Sequence, residues 1–284
     1  KIKISFYGAG NYATATLIPL MKDNGKVSFN GLVTATGMSA QSVAKKFDFS
    51  YCASNYKEIL DDKNDVVAIT TRHDTHSKAI CNALAANKNV YVEKPLALSV
   101  SELEDIHKAY TDNAKSQIMV GFNRRFAPST NEIIQHFESV KSPLVINIRV
   151  NAGFIPTDHW TQDAQEGGGR MIGEGCHFID LASAITKSNV KTIYAVGSSK
   201  EEKSALLNDN LCLSLTFENG SIANITYTAD ESKAMSKEHI EVFGGGRSAQ
   251  IKDFKEISLF DGDKKVKDKK LGSQDKGQKS MIDS

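Results

Sequence analysis

The first 121 residues alternate short apolar runs with amphipathic stretches of helical spacing. The apolar runs predict strands over residues 1–7, 29–34, 66–70, 90–92 and 117–121. The stretches between them predict one helix that ends near residue 22 and others over residues 40–47, 56–60, 78–87 and 99–115. Because helical crossovers join neighbouring parallel strands, this alternation predicts a doubly wound parallel α/β sheet.

After residue 121 the pattern changes to strands with an apolar residue at every second position. They are predicted over residues 144–150, 192–197, 211–217, 221–228, 239–243, 248–252 and 256–260, with helices over 131–140 and 173–185. Asn219 and Gly220 are a hairpin-turn pair between two of these strands. We therefore predict two domains, 1–121 and 122–284, the second an α+β domain with a large, mostly antiparallel sheet.

The lysine-rich tail from Gly262 predicts a last charged hairpin and then a frayed end. Met281 and Ile282 suggest the start of another amphipathic segment, and the chain enters a predicted strand at Ile2. We therefore expect a trimmed chain or one piece of a longer polypeptide.

Charge and cysteine usage narrow the possible partners. Lys and Arg number 35 against 34 Asp and Glu, which does not favour nucleic acid or an anionic membrane surface. No apolar run approaches the length of a membrane span. The four cysteines have neither CxxC nor zinc-site spacing, so we predict no metal site and free thiols in a reducing cytoplasm.

A glycine-rich turn follows the first predicted strand and precedes a helix. It comprises Gly8, Ala9, Gly10, Asn11, Tyr12 and Ala13. Gly8 permits a sharp turn, Gly10 permits close approach of a pyrophosphate, and Ala13 permits close packing of helix on strand. The helix N-terminus then faces the phosphates. This context favours a dinucleotide site over a plain tight turn.

The ends of two further strands supply candidate cofactor contacts. After the second strand, Thr34 or Thr36 is expected to bond the ribose. Neither a carboxylate nor an arginine lies nearby in the sequence. Because no cation is present to bind the 2′-phosphate of NADP, NAD is favoured, and NADP stays open. After the strand over 66–70 we predict cofactor contacts at Thr71, Arg72 and His76. His73 and Asp74 are interpreted as a polar loop.

Glu93 and Lys94 follow the strand over 90–92, and Pro95 cannot continue it because proline lacks the N–H of the ladder. The carboxyl ends of strands are where open α/β sheets bind ligands. An isolated strand-end lysine is usually only solvated. The glycine turn at the same sheet edge favours function instead, and lysine suits proton transfer because its charge is labile.

These motifs together resemble the glucose–fructose oxidoreductase, inositol dehydrogenase and rhizopine-catabolism family, Gfo/Idh/MocA. The resemblance rests on the glycine turn, on Glu93-Lys94-Pro95, on Gly121-Phe122-Asn123-Arg124-Arg125, and on Gly167-Gly168-Gly169 leading to His177 and Asp180. It implies a Rossmann domain and a second domain for substrate binding and oligomerisation, whose open sheet packs on another subunit of a homo-oligomer. It also implies an NAD(P)-dependent oxidoreductase acting on a sugar, polyol or sugar nucleotide.

The resemblance also implies residue roles. Lys94 lies between nicotinamide and substrate and transfers the proton, after a Lys94–Pro95 bond expected to be cis. Glu93 positions the nicotinamide end, and His177 contacts the reacting hydroxyl. Asn123 and Arg124 reach toward the substrate.

One departure from the family pattern concerns the aspartate often found four residues before the histidine, because Gly173 stands there. Glu174 is its candidate replacement. On a regular helix Glu174, His177 and Asp180 share one side, which would place His177 between two carboxylates. Asp180 is equally expected to make a structural hydrogen bond. Trp160, with His159, is expected either to stack on a sugar or to lie in the core.

Two other functions stay open at this point. Some relatives keep NAD bound and cleave glycosides by transient oxidation. The other alternative is a non-catalytic dinucleotide sensor. The loss of the usual aspartate at Gly173 favours a sensor, whereas the presence of Lys94 and His177 favours an enzyme.

Overall fold

A computed structural model of the chain describes residues 1–35, 37–198 and 208–284, without the side chains of 37–39. The chain forms two compact units. The first consists of Lys1–Gly121, Gln165–Gly167 and Ile282–Ser284, and the second of Phe122–Ala164 and Gly168–Met281.

The first unit is built on a six-stranded parallel sheet. Its strands are β1 (Ile2–Tyr7), β2 (Val27–Val33), β3 (Tyr51–Cys52), β4 (Val66–Ile69), β5 (Asn89–Val92) and β6 (Ile118–Val120). The strand order is β3-β2-β1-β4-β5-β6, and every pairing is parallel. The order reverses between β1 and β4, and a crevice for ligands opens at such a reversal.

Helices connect these strands. They are a π-helical segment (Ala13–Leu17) that continues into α1 (Ile18–Asn24), then α2 (Gly37–Phe47), α3 (Tyr56–Asp61), α4 (His76–Ala85) and α5 (Val100–Asp112). The Ser99 hydroxyl accepts the Glu102 N–H, and the Glu102 carboxylate accepts the Leu98 N–H, so the start of α5 is capped from both directions. The sequence predicts a cap at Ser99 or Ser101, and the structure has it at Ser99.

The second unit is built on an eight-stranded sheet. Its strands are β7 (Val145–Asn151), β8 (Val190–Gly197), β9 (Leu211–Phe217), β10 (Ile222–Thr228), β11 (Glu238–Gly244), β12 (Arg247–Lys252), β13 (Glu256–Asp261) and β14 (Lys264–Lys270). The order is β14-β13-β12-β11-β7-β10-β9-β8, and only β7 and β10 pair in parallel. The predicted fold class, a parallel Rossmann sheet plus a mostly antiparallel one, is confirmed.

Helices of the second unit are α6 (Pro128–His136), α7 (Cys176–Thr186) and α8 (Gln278–Asp283), the last ending in residues of the first unit. A π-helical segment (Met171–Gly175) leads into α7. The apolar side of α7, with Phe178 and Leu181, belongs to the same core as alternate residues of β9 such as Leu213 and Leu215. The opposite face of β9 is exposed, as period-two burial requires.

Two local predictions need correction. The charged hairpin is present as β13 and β14, but the frayed end is wrong, because α8 follows and Met281 is buried. The two-residue strand β3 was not predicted, since two residues carry no periodicity. Within the described residues, none of the helices has the length and apolar character that crossing a membrane requires.

Candidate functional site

The glycine turn at the end of β1 is fixed by its neighbours in the sheet. Gly8 has a φ of +100°, and its N–H donates to the Val33 carbonyl at 2.9 Å. The Thr70 hydroxyl donates to the Gly8 carbonyl at 2.9 Å. A Cβ at Gly8 would lie 2.7 Å from the Thr70 carbonyl carbon. Only glycine is compatible with this conformation and this contact.

Gly10 differs from Gly8, because the protein's own packing does not require it. A Cβ at Gly10 would meet no heavy atom of the described residues within 4 Å. The helix begins directly after it, with the Thr14 N–H bonded to the Gly10 carbonyl at 3.0 Å and Ala13 buried. Open space over a backbone at a helix start fits a pyrophosphate. Asn11 and Tyr12 lie exposed at the same edge.

The end of β2 supplies one of the two threonines predicted to bond the ribose. Thr34 directly follows β2 and is half-buried. Thr36 lies outside the described residues. The ribose contact at this strand end stays a prediction.

His76, at the start of α4, contacts both the segment that follows β4 and the segment that follows β5. Its Nδ1 lies 2.8 Å from the Pro95 carbonyl and its Nε2 lies 3.1 Å from the Thr71 carbonyl. The side chain is fully buried. Burial lowers the pKa of His76, although the hydrogen bonds to the two carbonyls act in the opposite direction. The ring is therefore neutral and donates through one nitrogen. His76 thus has a structural role, and its predicted cofactor contact stays a prediction.

The loop after β4 binds the three residues 165–167 of the same unit. The Arg72 guanidinium forms an ion pair with Glu166, and the Asp74 N–H donates to the Glu166 carbonyl at 3.2 Å. His73 Nδ1 donates to the Gly167 carbonyl at 2.8 Å. Burial lowers the pKa of His73 to about 4, assisted by the charge of Lys94. His73 thus has a structural role, as expected of a residue outside the site, but it is buried in a 3₁₀ turn (His73–Thr75) rather than in an exposed polar loop.

At the end of β5 the Tyr91 hydroxyl donates to Glu93 Oε1 at 2.5 Å. Burial raises the pKa of Glu93, while Tyr91 and Lys94 act in the opposite direction. Lys94 is half-buried, and its charge acts on both His73 and His76. The Lys94–Pro95 peptide bond is cis, as the resemblance implied. Glu93 and Lys94 therefore stand at the same sheet edge as the glycine turn.

In the second unit, His177 lies in the first turn of α7 and is buried. Its ring stands edge-on to that of Phe122, with the ring centres 5.8 Å apart. Phe122 directly precedes the 3₁₀ turn Asn123–Phe126. The structure thus brings the sequence motif around Asn123 next to His177.

Glu174, in the π-helical segment before α7, is bound by three groups. The Tyr227 hydroxyl donates to Oε2 at 2.6 Å, Lys237 Nζ lies 2.9 Å from Oε1, and Arg170 Nη2 lies 3.2 Å from Oε2. Burial alone would raise the pKa of Glu174. Lys237, Tyr227 and Arg170 outweigh that effect and lower the pKa to about 2. Glu174 is therefore a carboxylate at neutral pH.

Asp180 is held by Arg125 rather than by His177. Arg125 Nε donates to Asp180 Oδ2 at 2.9 Å, and its Nη2 donates to Oδ1. With Glu174 bound to Arg170, Lys237 and Tyr227, the expected position of His177 between two carboxylates is wrong. The π-helical segment changes the spacing that a regular helix would give. Asp180 thus makes a structural hydrogen bond to Arg125, and its predicted substrate contact stays a prediction.

The turn that carries Asn123 and Arg124 is anchored within the second unit. Arg124 makes two hydrogen bonds to the fully buried Glu238, at 2.8 and 3.1 Å, and Lys276 Nζ lies 2.7 Å from the same carboxylate. The Asn123 amide donates to the Lys276 carbonyl at 2.8 Å. Their predicted substrate contacts are untested by this arrangement and stay predictions.

Trp160 is half-buried in a 3₁₀ turn (Trp160–Gln162), with the exposed His159 ring 5.8 Å away. It does not belong to the buried core. Stacking of a sugar on this pair stays a prediction. Among the described residues, no three His, Cys, Asp or Glu side chains are grouped so as to hold a metal ion.

Sequence reasoning missed several partners of the predicted residues, namely Tyr91, Glu238, Tyr227, Lys237 and Lys276. Only Tyr91 carried a local signal, because residues two apart on a strand face the same side and Tyr91 stands two before Glu93. The others come from distant parts of the sequence.

A parallel sheet with a glycine turn at its strand-order reversal defines a Rossmann-type dinucleotide-binding protein. Residues 2–122 match the model of the oxidoreductase family with an NAD-binding Rossmann fold, and residues 142–249 match the GFO/IDH/MocA C-terminal domain. The chain belongs to the Gfo/Idh/MocA oxidoreductase family. The prediction of NAD as the cofactor is confirmed by the NAD-binding fold of this family.

Curated relatives and solved structures agree with this assignment. An uncharacterized oxidoreductase, YrbE of Bacillus subtilis (strain 168), is 29% identical over 74% of this chain and 62% of its own. An inositol 2-dehydrogenase of Salmonella typhimurium is 31% identical over 49% of this chain and 41% of its own. The matches thus span less than two thirds of either relative.

Two solved structures share the fold. Aldose–aldose oxidoreductase from Caulobacter crescentus, complexed with glycerol, has a TM-score of 0.85 at 20% identity, covering 100% of this chain and 88% of that one. A levoglucosan dehydrogenase in complex with NADH and levoglucosan has a TM-score of 0.84 at 17% identity, covering 99% and 87%.

Proposed function

We propose that the protein is an NAD-dependent dehydrogenase that acts on a ring hydroxyl or keto group of a sugar, polyol or sugar nucleotide. The observation that carries the proposal lies in the first unit. Gly10 offers an unobstructed backbone at the end of β1, and Lys94 stands at the end of β5 in the same parallel sheet. A dinucleotide site and a proton-transfer group therefore share one sheet edge.

In this proposal the cofactor is held by the strand ends of the first unit. The contacts are assigned to Gly8, Ala9, Gly10, Asn11, Tyr12, Thr34, Thr71, Arg72 and Glu93. When bound, NAD supplies the acceptor for the hydride of the alcohol. NADP stays an alternative, because only the lack of an arginine or lysine near Thr34 in the sequence speaks against it.

Lys94 has the central chemical role in this proposal. In its neutral form the amine contacts the substrate hydroxyl and takes the hydroxyl proton during oxidation, and in its charged form it returns the proton during reduction. The charge of Lys94 acts on His73 and His76, which are both neutral at pH 7 because burial lowers the pKa of each ring. The neighbourhood thus adds no further histidine cation at neutral pH.

The second unit supplies the remaining proposed groups. His177 contacts the reacting hydroxyl, and Glu174 keeps a fixed negative charge one turn before it. Asn123, Arg124 and Trp160 are assigned to substrate binding. The relatives support the sugar and polyol class, because they include an inositol 2-dehydrogenase and a levoglucosan dehydrogenase.

The test begins with mass spectrometry of the untagged protein under native conditions, to identify any co-purified cofactor or ligand. A panel of polyols, sugars and sugar nucleotides is then followed at the nicotinamide absorbance. Net reduction of added NAD by at least one member of the panel is expected. Glycoside cleavage without net NADH would instead indicate the hydrolase, and a stable protein partner with no turnover would indicate the sensor.

We also propose that the protein forms a homo-oligomer through the outward face of the large sheet. Tyr194 and Val196 of β8 pair with Ser214 and Cys212 of β9 on that face, and Tyr194 is 71% exposed. An apolar patch on a sheet face is typical of a subunit interface. Light scattering should give a multiple of the chain mass that Tyr194→Glu reduces. Tyr110→Glu, at an exposed tyrosine of α5, is the control and should not reduce it.

A reducing, cytoplasmic location belongs to the same proposal. Within the described residues, Cys52, Cys81, Cys176 and Cys212 form no disulfide. Cysteines without disulfides are typical of reducing compartments. A disulfide in protein isolated from its native cells without reductant would contradict this location.

A further inference from the structure

Tyr91 and Glu93 face the same side of β5 and its end. Residues two apart on a strand share a face, and the Tyr91 hydroxyl lies 2.5 Å from Glu93 Oε1. Tyr91 is only 5% exposed, so its hydroxyl is not available to bulk water as an alternative partner. The Glu93 N–H is in turn bonded to the Ile69 carbonyl of β4 at 3.0 Å. Backbone and carboxylate of Glu93 are thus both held.

Gly121, at the end of the adjacent strand β6, provides the space for this pair. A Cβ at Gly121 would lie 2.8 Å from Glu93 Oε1, 2.9 Å from the Tyr91 hydroxyl and 3.0 Å from Glu93 Cδ. The Gly121 N–H bonds to the Val92 carbonyl at 2.8 Å, which keeps the two strand ends in register. Its φ is not in the left-handed region, so space rather than backbone conformation requires glycine here.

The charges around the pair favour one protonation state. Burial, then the negative charge of Glu93 and the proximity of Tyr12, raise the pKa of Tyr91 well above its ordinary value. Tyr91 therefore remains a hydrogen-bond donor throughout the physiological range. Burial raises the pKa of Glu93, while the Tyr91 hydroxyl, the Lys94 charge and the Lys94 N–H lower it. Removing the Tyr91 hydroxyl would therefore raise the pKa of Glu93 further.

We propose that Tyr91 and Gly121 are positioning residues that fix the Glu93 carboxylate for the nicotinamide end of the cofactor. The phenol hydroxyl sets the orientation of the carboxylate, and the missing side chain at Gly121 leaves room for it. Neither residue touches the reacting atoms; both act through Glu93. This inference rests on the proposed dehydrogenase function, and it adds the two residues that keep Glu93 in one place.

The test measures NADH affinity against pH for the full chain and for Tyr91→Phe, which removes only the hydroxyl. Loss of a hydrogen bond to a charged group is expected to weaken NADH binding about tenfold near neutral pH. The midpoint at which acid weakens binding should also move to higher pH, because Glu93 loses a group that lowers its pKa. Tyr110→Phe, at an exposed tyrosine of α5, should change neither quantity.

Gly121→Ala tests the second half of the inference, with Gly272→Ala as its matched control. A Cβ at Gly272 would meet no heavy atom of the described residues within 4 Å. Gly121→Ala should weaken NADH binding by a similar factor, whereas Gly272→Ala should not. Combining Tyr91→Phe with Glu93→Gln should weaken binding no more than Glu93→Gln alone, because both act through one carboxylate.

This design distinguishes failure of the proposed function from failure of the inference about Tyr91 and Gly121. If the unmodified protein does not bind NADH at any pH, the proposed function itself fails. If it binds, but Tyr91→Phe keeps both the affinity and the pH midpoint while thermal stability falls, Tyr91 is merely structural and the inference is overturned. Additive effects of Tyr91→Phe and Glu93→Gln would overturn it as well.

Discussion

Gly8 lies against Thr70, so closely that a Cβ at Gly8 would be 2.7 Å from the Thr70 carbonyl carbon. The same substitution two residues later, at Gly10, would meet open space. The two glycines of this motif therefore differ in their physical roles: Gly8 is required by the fold, whereas Gly10 leaves open space that the proposed cofactor would use.

Gly8→Ala is expected to lower the free energy of unfolding by about 1–3 kcal/mol, because alanine would have to adopt a φ of +100° against a backbone contact. Gly10→Ala should change that free energy by less than about 0.5 kcal/mol. It should nevertheless weaken NADH binding about tenfold or more, since the new methyl group would occupy the space of the pyrophosphate. Denaturant unfolding and NADH fluorescence titration measure the two effects. Unchanged NADH affinity in Gly10→Ala would contradict the assigned role of this turn.

The roles of the two carboxylates near His177 give a kinetic prediction. Glu174→Gln should reduce turnover more than Asp180→Asn, because it removes the fixed negative charge one turn before His177, whereas Asp180 is paired with Arg125 in a structural contact. We expect a loss of about tenfold or more in kcat for Glu174→Gln. For Asp180→Asn the loss should stay within about threefold. The reverse order in steady-state kinetics would show that Asp180, and not Glu174, replaces the missing aspartate.

The buried ion pair of the second unit should be important for stability. Glu238→Gln leaves Arg124 and Lys276 without their shared negative partner inside the protein. Removing one member of a buried pair costs about 3–5 kcal/mol. Lys276→Met should cost less than Glu238→Gln, because the Arg124–Glu238 pair remains. Urea unfolding checks both variants, and equal stability of Glu238→Gln and the parent would contradict the burial of this pair.

His73 should make stability depend on pH. Its pKa is about 4 in the folded protein, because burial disfavours the charged ring, against an ordinary value of 6.5. Between these values the unfolded chain binds more protons than the folded one, so stability falls as pH is lowered from 6.5 to 4. The loss attributable to His73 is up to about 3 kcal/mol. His73→Asn, which keeps a donor for the Gly167 carbonyl, should flatten this part of the profile. An unchanged slope in urea unfolding across this range would contradict the assignment.

Local patterns predicted the elements of both sheets well. The alternation of Leu211, Leu213, Leu215 and Phe217 predicted β9 with the bounds that the structure shows. A cap at Ser99 or Ser101 was predicted from residue type, and the structure has Ser99 as the cap, with its hydroxyl bonded to the Glu102 N–H within one turn. These predictions succeed because strand period and helix capping depend on residues close together in the chain.

Partners that are distant in sequence were not predictable in this way. Arg124 and Glu238 are separated by 114 positions, and no periodicity links them. The π-helical segment Met171–Gly175 removed the regular spacing on which the placement of Glu174 and His177 relied. Asp180 therefore pairs with Arg125 from another turn, which only the tertiary fold decides.

The central claim is that Lys94 transfers the proton in an NAD-dependent dehydrogenase, and one comparison tests it most directly. NADH affinity and turnover are measured side by side for the parent, for Lys94→Ala, and for Lys78→Ala at an exposed lysine of α4 as control. Lys94→Ala should bind NADH within about threefold of the parent and lose about 10²–10⁴-fold in kcat. Lys78→Ala should match the parent in both. Full turnover by Lys94→Ala, on a substrate that the parent oxidises, would contradict the account.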